Sequence, residues 1–219
     1  MRRMNGLAEY YARRARQYED IYRREEPIRQ KELTEIGTAL REILWGRDVL
    51  EVACGTGFWT AVATEGAKSI LAIDISDEML AVAKAKSLAN KNIRFCLGDV
   101  YSLDFIEGTF DACLANFWLS HVPRSKLHGF LCGFHQKLIH GAVVFMADNL
   151  YVPGVGGELA ERAGCEDTFK LRRLSDGSEY EVLKNCYEAE QLHRILEPFS
   201  CELNIHIGTC YWWLSYQKA

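Results

Sequence analysis

The segment from Val49 to Phe58 constrains the fold more than any other part of the chain. It reads as a buried strand that ends in the acid-bearing stretch around Glu51, followed by a glycine turn at Gly55 and Gly57. Apolar residues behind the turn begin a helix. Glycine lets backbone N–H groups approach a ligand closely, and the positive end of a helix lies at the same point. The segment therefore predicts a strand–turn–helix unit with a ligand site at the turn, although such turns also use two glycines for geometry alone.

Three further apolar runs follow, and each ends at a polar side chain. They are Ser69–Asp74, Ile93–Leu97 just before Asp99, and Phe110–Ala115 just before Asn116. In a doubly wound sheet the carboxyl ends of adjacent strands share one crevice. Polar residues also start turns and cap helices, which explains any one of these positions. Four in succession, with the glycine turn on the first, favour a common binding site.

The motifs are Glu51-x-x-x-Gly55-x-Gly57, then Asp74-Ile75-Ser76 before Glu78-Met79-Leu80, then Gly98-Asp99-Val100. This set resembles the class I S-adenosylmethionine-dependent methyltransferases, and most closely their small-molecule (methyltransferase type 11-like) branch. A nicotinamide-binding Rossmann turn is the competing interpretation, but Thr60 stands where that motif needs its third glycine. Glu51 also suits a cofactor with an ammonium and a sulfonium better than one with a pyrophosphate, which its charge would repel.

The resemblance implies S-adenosylmethionine as the cofactor and S-adenosylhomocysteine as the product. Within it, Gly55 and Gly57 provide the close backbone approach. Glu51 and the carbonyl group of Ala53 face the ammonium of the amino-acid part. Asp74 accepts both hydroxyl groups of the ribose.

The same resemblance implies contacts to the adenine ring. Ile75 and Met79 lie beside the ring. Asp99 accepts a hydrogen bond from the adenine amino group, and Val100 donates one from its backbone. These residues all follow the second and third strands, where the crevice is expected.

The acceptor side of the site is less constrained by motifs. By resemblance, Asn116 and Phe117 border the methionine part of the cofactor and the opening for the substrate. The leader from Tyr10 to Glu19 resembles the Tyr- and Arg-bearing lid of small-molecule members, in which Arg14 would pair with the cofactor carboxylate and Tyr11 would pack over it. An amphipathic helix with a solvated basic face explains the same leader.

His121 is the candidate catalytic residue. It lies just past the fourth strand, and an ordinary histidine pKa of about 6.5 suits a general base. A cap for the helix that Pro123 begins is an equally open interpretation. Asp148 and Asn149 are weaker candidates, and several side chains are candidates for the substrate side: Trp118, Tyr151, Arg172, Arg173, Tyr180, Trp212 and Trp213.

The order of elements predicts an α/β fold: a Rossmann-like, doubly wound, seven-stranded, mostly parallel sheet with an antiparallel C-terminal edge hairpin and an N-terminal helical lid. A helix with its apolar stripe from Leu127 to Leu138, closed by Gly141, precedes a fifth strand, Ala142 to Ala147. We expect a single domain over 1–219. It divides into an N-terminal cap (1–45), a cofactor-binding core (46–150), an insertion with a hairpin (151–186) and a C-terminal helix with edge strands (187–219).

Composition excludes several classes. The chain has 219 residues, net charge −4 and a pI near 5.9, so nucleic acid is an unlikely partner. No stretch is apolar enough to cross a bilayer or resembles a secretory signal, and eight cysteines without a Cys-x-x-Cys pair predict reduced thiols, a cytoplasmic location and no metal site. We expect a methyltransferase acting on a small molecule. A protein or RNA methyltransferase and a non-catalytic S-adenosylmethionine-binding adaptor are the alternatives.

Overall fold

The computed structural model describes residues 5–88, 92–154 and 157–219. Its strands and helices are listed here in chain order. The strands are β1 Asp48–Val52, β2 Ser69–Asp74, β3 Ile93–Leu97, β4 Phe110–Asn116, β5 Leu138–Asn149, β6 Leu159–Arg162, β7 Cys165–Arg173, β8 Glu179–Leu183, β9 Ser200–Ile207 and β10 Tyr211–Lys218. The α-helices are α1 Asn5–Arg14, α2 Pro27–Ile43, α3 Phe58–Ala63, α4 Asp77–Lys84, α5 Leu127–His135 and α6 Ala189–Leu196.

Seven of these strands form one sheet in the order β3-β2-β1-β4-β5-β10-β9. The first five strands of the order run parallel, and β10 pairs antiparallel with both β5 and β9. This arrangement confirms the predicted seven-stranded sheet with its antiparallel edge hairpin. The chain order reverses between β1 and β4, and in open α/β sheets ligands bind outside the carboxyl ends of the strands at such a point.

Both faces of the sheet are covered by helices. Successive residues of a strand point to opposite faces, so Val49 and Leu50 of β1 belong to two different apolar clusters. Helices α2, α3 and α4 pack on one face, and α5 and α6 pack on the other. The strand ends are therefore held between two buried layers, which gives the crevice a rigid base.

Two predicted boundaries are wrong. Helix α5 ends at His135, and Leu138 already begins β5, where it pairs with Phe110 of β4. Gly141, which was expected to close the helix, lies inside β5 with a φ of 74° at a shift in the strand register. An apolar residue at helical spacing satisfies either structure, and only the pairing with β4 decides between them.

The insertion carries more regular structure than expected. The predicted hairpin is confirmed as β7 and β8, with Gly177 at a φ of 84° in its turn. A third strand, β6, was not predicted and pairs with β7.

The N-terminal segment and the small sheet lie against each other. The segment continues from α1 into a 3₁₀ helix from Ala15 to Tyr22 before α2 begins. The rings of Tyr10 and Tyr180 are 5.7 Å apart, and Arg13 pairs with Asp176, with Nη2 and Oδ2 3.0 Å apart. No helix among the described ranges is long and apolar enough to cross a membrane.

Candidate active site

A cavity of about 220 Å³ opens at the carboxyl ends of β1, β2, β3 and β4. Three acidic side chains line it, Glu51, Asp74 and Asp99, and none of the described lining residues is a lysine or an arginine. The four polar strand ends that the sequence predicted to share a crevice are therefore brought together. Such a wall favours a ligand with positive charge.

Glu51 is the most unusual of the three acids. Its side chain is 2% exposed, and its Oε2 atom has no hydrogen-bond partner among the described residues. Burial raises the pKa of this carboxyl to about 8. A buried carboxylate without a hydrogen-bond partner costs free energy unless a ligand supplies that partner. Glu51 therefore fits the ammonium that the resemblance assigns to it.

The glycine turn is held by Asp74. The backbone N–H of Gly55 donates to Oδ2 of Asp74 over 2.8 Å, and that of Ser76 donates to Oδ1 over 2.9 Å. Gly55 and Asp74 both line the cavity. Burial raises the pKa of Asp74, and these backbone donors act against the shift. The carboxylate thus shapes the turn and still faces the cavity, where its remaining lone pairs suit hydroxyl donors.

Gly57 serves the turn in another way. It lies behind the cavity wall, in the left-handed region at the N-terminus of α3. A Cβ atom at Gly57 would stand 3.0 Å from Cβ of Ala83 in α4. The structure therefore gives this glycine a packing role, and the close approach of its backbone to a ligand stays a prediction. Ala53 lines the cavity with a φ of 53°, a strained conformation for a residue other than glycine.

The predicted adenine contacts lie on one side of the cavity. Ile75 is exposed on its rim, while Met79 and Val100 are buried in its wall. Asp99 is exposed at the mouth, where its Oδ1 accepts from the backbone N–H of Tyr101 over 2.9 Å. All four line the cavity, and their contacts to an adenine ring stay a prediction. A ring between these side chains would have apolar faces and an acidic edge.

The end of β4 supplies a second group of unsatisfied polar atoms. Neither side-chain atom of Asn116 nor Nε1 of Trp118 has a hydrogen-bond partner among the described residues, although both groups are buried. Phe117 between them is left-handed, with a φ of 57°, and its N–H donates to the carbonyl group of Ala147 over 2.6 Å. The strained turn aims Asn116 and Trp118 into the cavity wall.

The N-terminal segment forms the outer wall. Leu7, Ala8, Tyr11, Tyr18 and Tyr22 all line the cavity. Since this segment lies over the crevice, its position agrees with a lid; opening and closing stay a prediction.

Polar contacts hold the N-terminal segment against the core. Thr56 Oγ1 of the glycine turn donates to Oε1 of Glu19 over 2.7 Å. The two lid residues named from the sequence, Tyr11 and Arg14, differ in which cavity they line. Tyr11 is part of the cavity wall, but Arg14 lies in a neighbouring cavity and bonds Oη of Tyr10 over 2.9 Å. The contact of Arg14 with a cofactor carboxylate stays a prediction.

A second cavity, of about 390 Å³, adjoins the first. Five side chains belong to both walls and define the junction between the two cavities: Tyr11, Tyr18, Tyr22, Phe117 and His121. The remainder of its wall comes mainly from the N-terminal segment up to α2, from β7 and the turn after it, and from the stretches that follow β5 and β8. Two adjacent cavities with a shared aromatic junction can hold two ligands in contact.

His121 is fixed at this junction by two hydrogen bonds. Its Nδ1 lies 2.7 Å from the carbonyl oxygen of Leu183, so Nδ1 carries the proton and donates. Its Nε2 then accepts from Oη of Tyr11, 2.8 Å away. Burial first, and the charge of Lys184 second, lower the His121 pKa to about 3. The imidazole is therefore neutral at physiological pH and presents an acceptor to Tyr11 rather than capping a helix.

The other candidates named from the sequence have mixed placements. Asn149, Arg172 and Arg173 line the second cavity. Asp148 is fully buried and structural, since its carboxylate pairs with Nζ of Lys184 over 3.0 Å and accepts from the backbone N–H of Ser120 over 2.9 Å. Among the tryptophans, Trp118 lines the first cavity and Trp212 is a core residue.

Sequence reasoning missed part of the site. Trp59, Tyr18 and Tyr22 in the first cavity, and Lys170 and Lys184 in the second, carry no motif. The helical spacing of the tyrosines was visible, but nothing in that spacing indicates which cavity they face.

Known proteins resemble this chain in sequence and in fold. Residues 49–141 match the sequence family described as a methyltransferase domain. Demethylmenaquinone methyltransferases from Lactococcus lactis subsp. lactis (strain IL1403) and Staphylococcus aureus (strain MRSA252) are both 36% identical, over 85 and 81 residues. Each alignment spans 36% of this chain and 34% of the relative, so the chain covers about a third of the length of the curated relatives it matches.

Solved structures cover nearly the whole chain. The DhpI–SAM–HEP complex superposes with a TM-score of 0.75 at 26% identity, over 96% of this chain and 97% of DhpI. The DhpI–SAH complex superposes with a TM-score of 0.78 at 24% identity, over 98% of both chains. With the acidic crevice, these similarities show that residues 49–141 resemble a methyltransferase domain and that nearly the whole chain has the Rossmann-like fold of the S-adenosylmethionine-binding protein DhpI.

Proposed function

We propose that this protein transfers the methyl group of S-adenosylmethionine to a small-molecule acceptor. One observation carries the proposal: an acid-lined cavity at the strand ends meets a second cavity at the aromatic junction. A binding adaptor needs only the first cavity. A methyltransferase needs both, because the acceptor must lie in contact with the methyl group.

The residues of the first cavity suit the parts of the cofactor. We assign Glu51 and the carbonyl group of Ala53 to the ammonium, Asp74 to the ribose hydroxyls, and Asp99 to the adenine amino group. When bound, the cofactor supplies an activated methyl group on a sulfonium. The uncompensated Oε2 of Glu51 supports the assignment, because a cation there would give a buried carboxylate its missing partner.

The residues of the junction would orient the acceptor and exclude water. The junction is lined by the apolar ring faces of four side chains: Tyr11, Tyr18, Tyr22 and Phe117. Such a lining favours direct contact between two ligands with water excluded. His121 holds the hydroxyl group of Tyr11 at this point. We propose that His121 acts chiefly as a positioning residue, since a pKa near 3 makes it a weak proton acceptor. Its role as general base remains a prediction.

The acceptor is proposed to be small because the N-terminal segment and the small sheet form much of the wall of the second cavity. A volume of about 390 Å³ suits a metabolite, and a side chain presented by a folded protein would have to pass these elements. The matched relatives are named for demethylmenaquinone, which is likewise a small molecule rather than a protein or a nucleic acid. A cytoplasmic location agrees with this proposal and stays a prediction.

Labelled cofactor tests the proposal directly. The protein is incubated with methyl-labelled S-adenosylmethionine and a metabolite extract, and low-mass products are separated from protein and RNA. We expect label in a low-mass product with wild-type protein and with the surface control Glu107→Gln, and about tenfold less label with Glu51→Gln when the cofactor is kept below its Kd. Label found only in protein or RNA would contradict the small-molecule assignment. Cofactor binding without any labelled product would favour the adaptor.

A further inference from the structure

The two cavities carry opposite charge. Seven lysine or arginine side chains line the second cavity, and none of its described lining residues is acidic. The first cavity shows the reverse, with three acids and neither lysine nor arginine among its described lining residues. The chain as a whole is net negative at −4, so this concentration of positive charge is local. A cavity wall of one sign attracts ligands of the other sign.

Part of this charge is balanced inside the protein. Three of the seven cations pair with an acid: Nζ of Lys184 with Oδ1 of Asp148 over 3.0 Å, Nε of Arg29 with Oε2 of Glu26 over 2.5 Å, and Nε of Arg173 with Oε1 of Glu179 over 3.4 Å. In each pair the cation stands in the cavity wall and its acid does not. The described side chains that face a ligand in this cavity are therefore cationic, aromatic, polar or apolar, but not acidic.

Lys170 and Arg172 both line the second cavity from one strand. They are two residues apart on β7, so both side chains leave the same face of the strand. Lys170 is 6% exposed, with Nζ 5.3 Å from the ring centre of Tyr151. Burial lowers the Lys170 pKa, and the charges of Arg172, Lys184 and Arg29 lower it further. Several cations thus repel one another across one small space, a cost that a bound anion would offset.

Arg172 lines the same cavity as the junction residues Tyr11 and His121. Burial raises the pKa of Tyr11, and the charge of Arg172 opposes that shift. The same charge adds to the lowering of the His121 pKa, behind burial and Lys184. A group held by Arg172 would accordingly lie near the shared aromatic side chains, where the acceptor must meet the methyl group.

We propose that the methyl acceptor is a small anion whose negatively charged group binds to Lys170 and Arg172 in the second cavity. A carboxylate and a phosphate-like group share this chemistry. The inference rests on the proposed methyl transfer. In that step a lone pair of the acceptor forms the bond to the methyl carbon, the carbon–sulfur bond breaks, and its electron pair stays on sulfur. Any proton on the acceptor atom is released to solvent.

Binding of matched probes tests the charge preference without requiring turnover. Titration calorimetry is carried out with wild-type protein saturated with S-adenosylhomocysteine, using inorganic phosphate, benzoate and the neutral benzamide. Benzoate and benzamide have nearly the same shape and differ in charge. We expect binding of at least one of the two anions and none of benzamide; which anion binds distinguishes phosphate-like from carboxylate acceptors. Equal binding of benzoate and benzamide, or no binding of either anion at millimolar concentration, would overturn the proposal.

Variants locate the anion. Arg172→Gln and Lys170→Met should each weaken anion binding by about tenfold or more, as expected for loss of a charge-assisted contact. Their affinity for S-adenosylhomocysteine should stay within about twofold of wild type, because neither substitution changes a contact that we assign to the cofactor. Arg194→Gln, on the exposed side of α6, is the matched control and should leave both affinities unchanged.

Two outcomes distinguish failure of the anionic-acceptor proposal from failure of the proposed methyl transfer. If the variants weaken S-adenosylhomocysteine binding but not anion binding, the cations serve the carboxylate of the cofactor and the anionic-acceptor proposal is wrong. If wild-type protein does not bind S-adenosylhomocysteine at all, the proposed methyl transfer fails, whereas anion binding to the cofactor-free protein still reports on the second cavity. Because Lys170 is buried, Arg172→Gln alone decides the matter if Lys170→Met unfolds.

Discussion

Glu51→Gln should stabilise the cofactor-free protein while it weakens cofactor binding. The carboxyl of Glu51 is 2% exposed, and burial raises its pKa from 4.5 to about 8. The folded protein therefore takes up a proton at this site at pH 7, whereas the unfolded chain holds the carboxylate ionised. A glutamine amide is neutral like the protonated carboxyl, so the substitution removes this proton uptake and keeps the shape of the side chain.

The size of the effect follows from the pKa shift. The ordinary pKa lies about 2.5 units below pH 7, and each unit corresponds to about 1.4 kcal/mol, so the substitution should raise the free energy of unfolding by about 3 kcal/mol. For a chain of this length that gain corresponds to a rise in melting temperature of roughly 6–12 °C. The penalty of Glu51 is absent below pH 4.5 and complete above pH 8. Wild-type stability should thus fall as pH rises through this window, and the variant should lack that slope.

Cofactor binding should favour the ionised form of Glu51, whereas folding of the cofactor-free protein favours the protonated form. A cationic ammonium next to Glu51 favours the ionised carboxylate, so binding at pH 7 should release close to one proton per cofactor. Between about pH 5.5 and pH 7, where an α-amino group stays protonated, affinity should rise by up to tenfold per pH unit. Glu51→Gln should bind S-adenosylhomocysteine at least about tenfold more weakly, from loss of one charged contact.

Two measurements decide the matter. Urea unfolding of both proteins at pH 5 and pH 8 gives the stability slopes, and calorimetry in buffers of different ionisation enthalpy counts the released protons. Glu107→Gln, an exposed acid that lines neither cavity, is the control and should match wild type in both. Equal stability of wild type and Glu51→Gln at pH 8, or binding without proton release at pH 7, would refute the reasoning about this carboxyl.

Three further changes test the junction, the turn and the support behind the second cavity. Tyr11→Phe removes the donor to Nε2 of His121 but keeps the ring, and we expect turnover to fall by about tenfold or more with unchanged cofactor affinity; equal loss of both would mean a general collapse of the site. Gly57→Ala places a Cβ 3.0 Å from Ala83 at a φ of 73°, which should lower the free energy of unfolding by about 1–2 kcal/mol in urea titration; no change would remove the packing role. Lys184→Met leaves the carboxylate of Asp148 buried and unpaired, so unfolding should become easier by about 3–5 kcal/mol, and adding Asp148→Asn should recover most of it.

Local sequence was sufficient for the strands of the core. The runs that became β2 and β3 were predicted with the boundaries that the structure has. Their apolar residues are consecutive because both faces of a parallel sheet are buried, and that pattern does not depend on distant parts of the chain. The turn between β7 and β8 was visible for a similar reason, since Asp-Gly encodes its own backbone geometry.

Boundaries that depend on pairing were not visible. Leu138 continues the apolar stripe of α5 and yet begins β5, because Phe110 of β4 offers it a partner. Strand β6 has no alternating pattern of its own and exists through its pairing with β7. In both cases the deciding contact joins residues far apart in the chain or outside the local pattern.

The sequence by itself determined the acidic crevice, because the motif residues sit at the ends of neighbouring parallel strands and the sheet topology brings such ends together. Tertiary structure alone decided the rest of the site. It moved Gly57 behind the wall, placed Arg14 in the second cavity, set His121 against Tyr11, and gathered cations from α1, α2, β7 and the stretch after β8 around one space. Those residues come from segments with no common periodicity, so their meeting depends on how the N-terminal segment and the small sheet pack over the crevice.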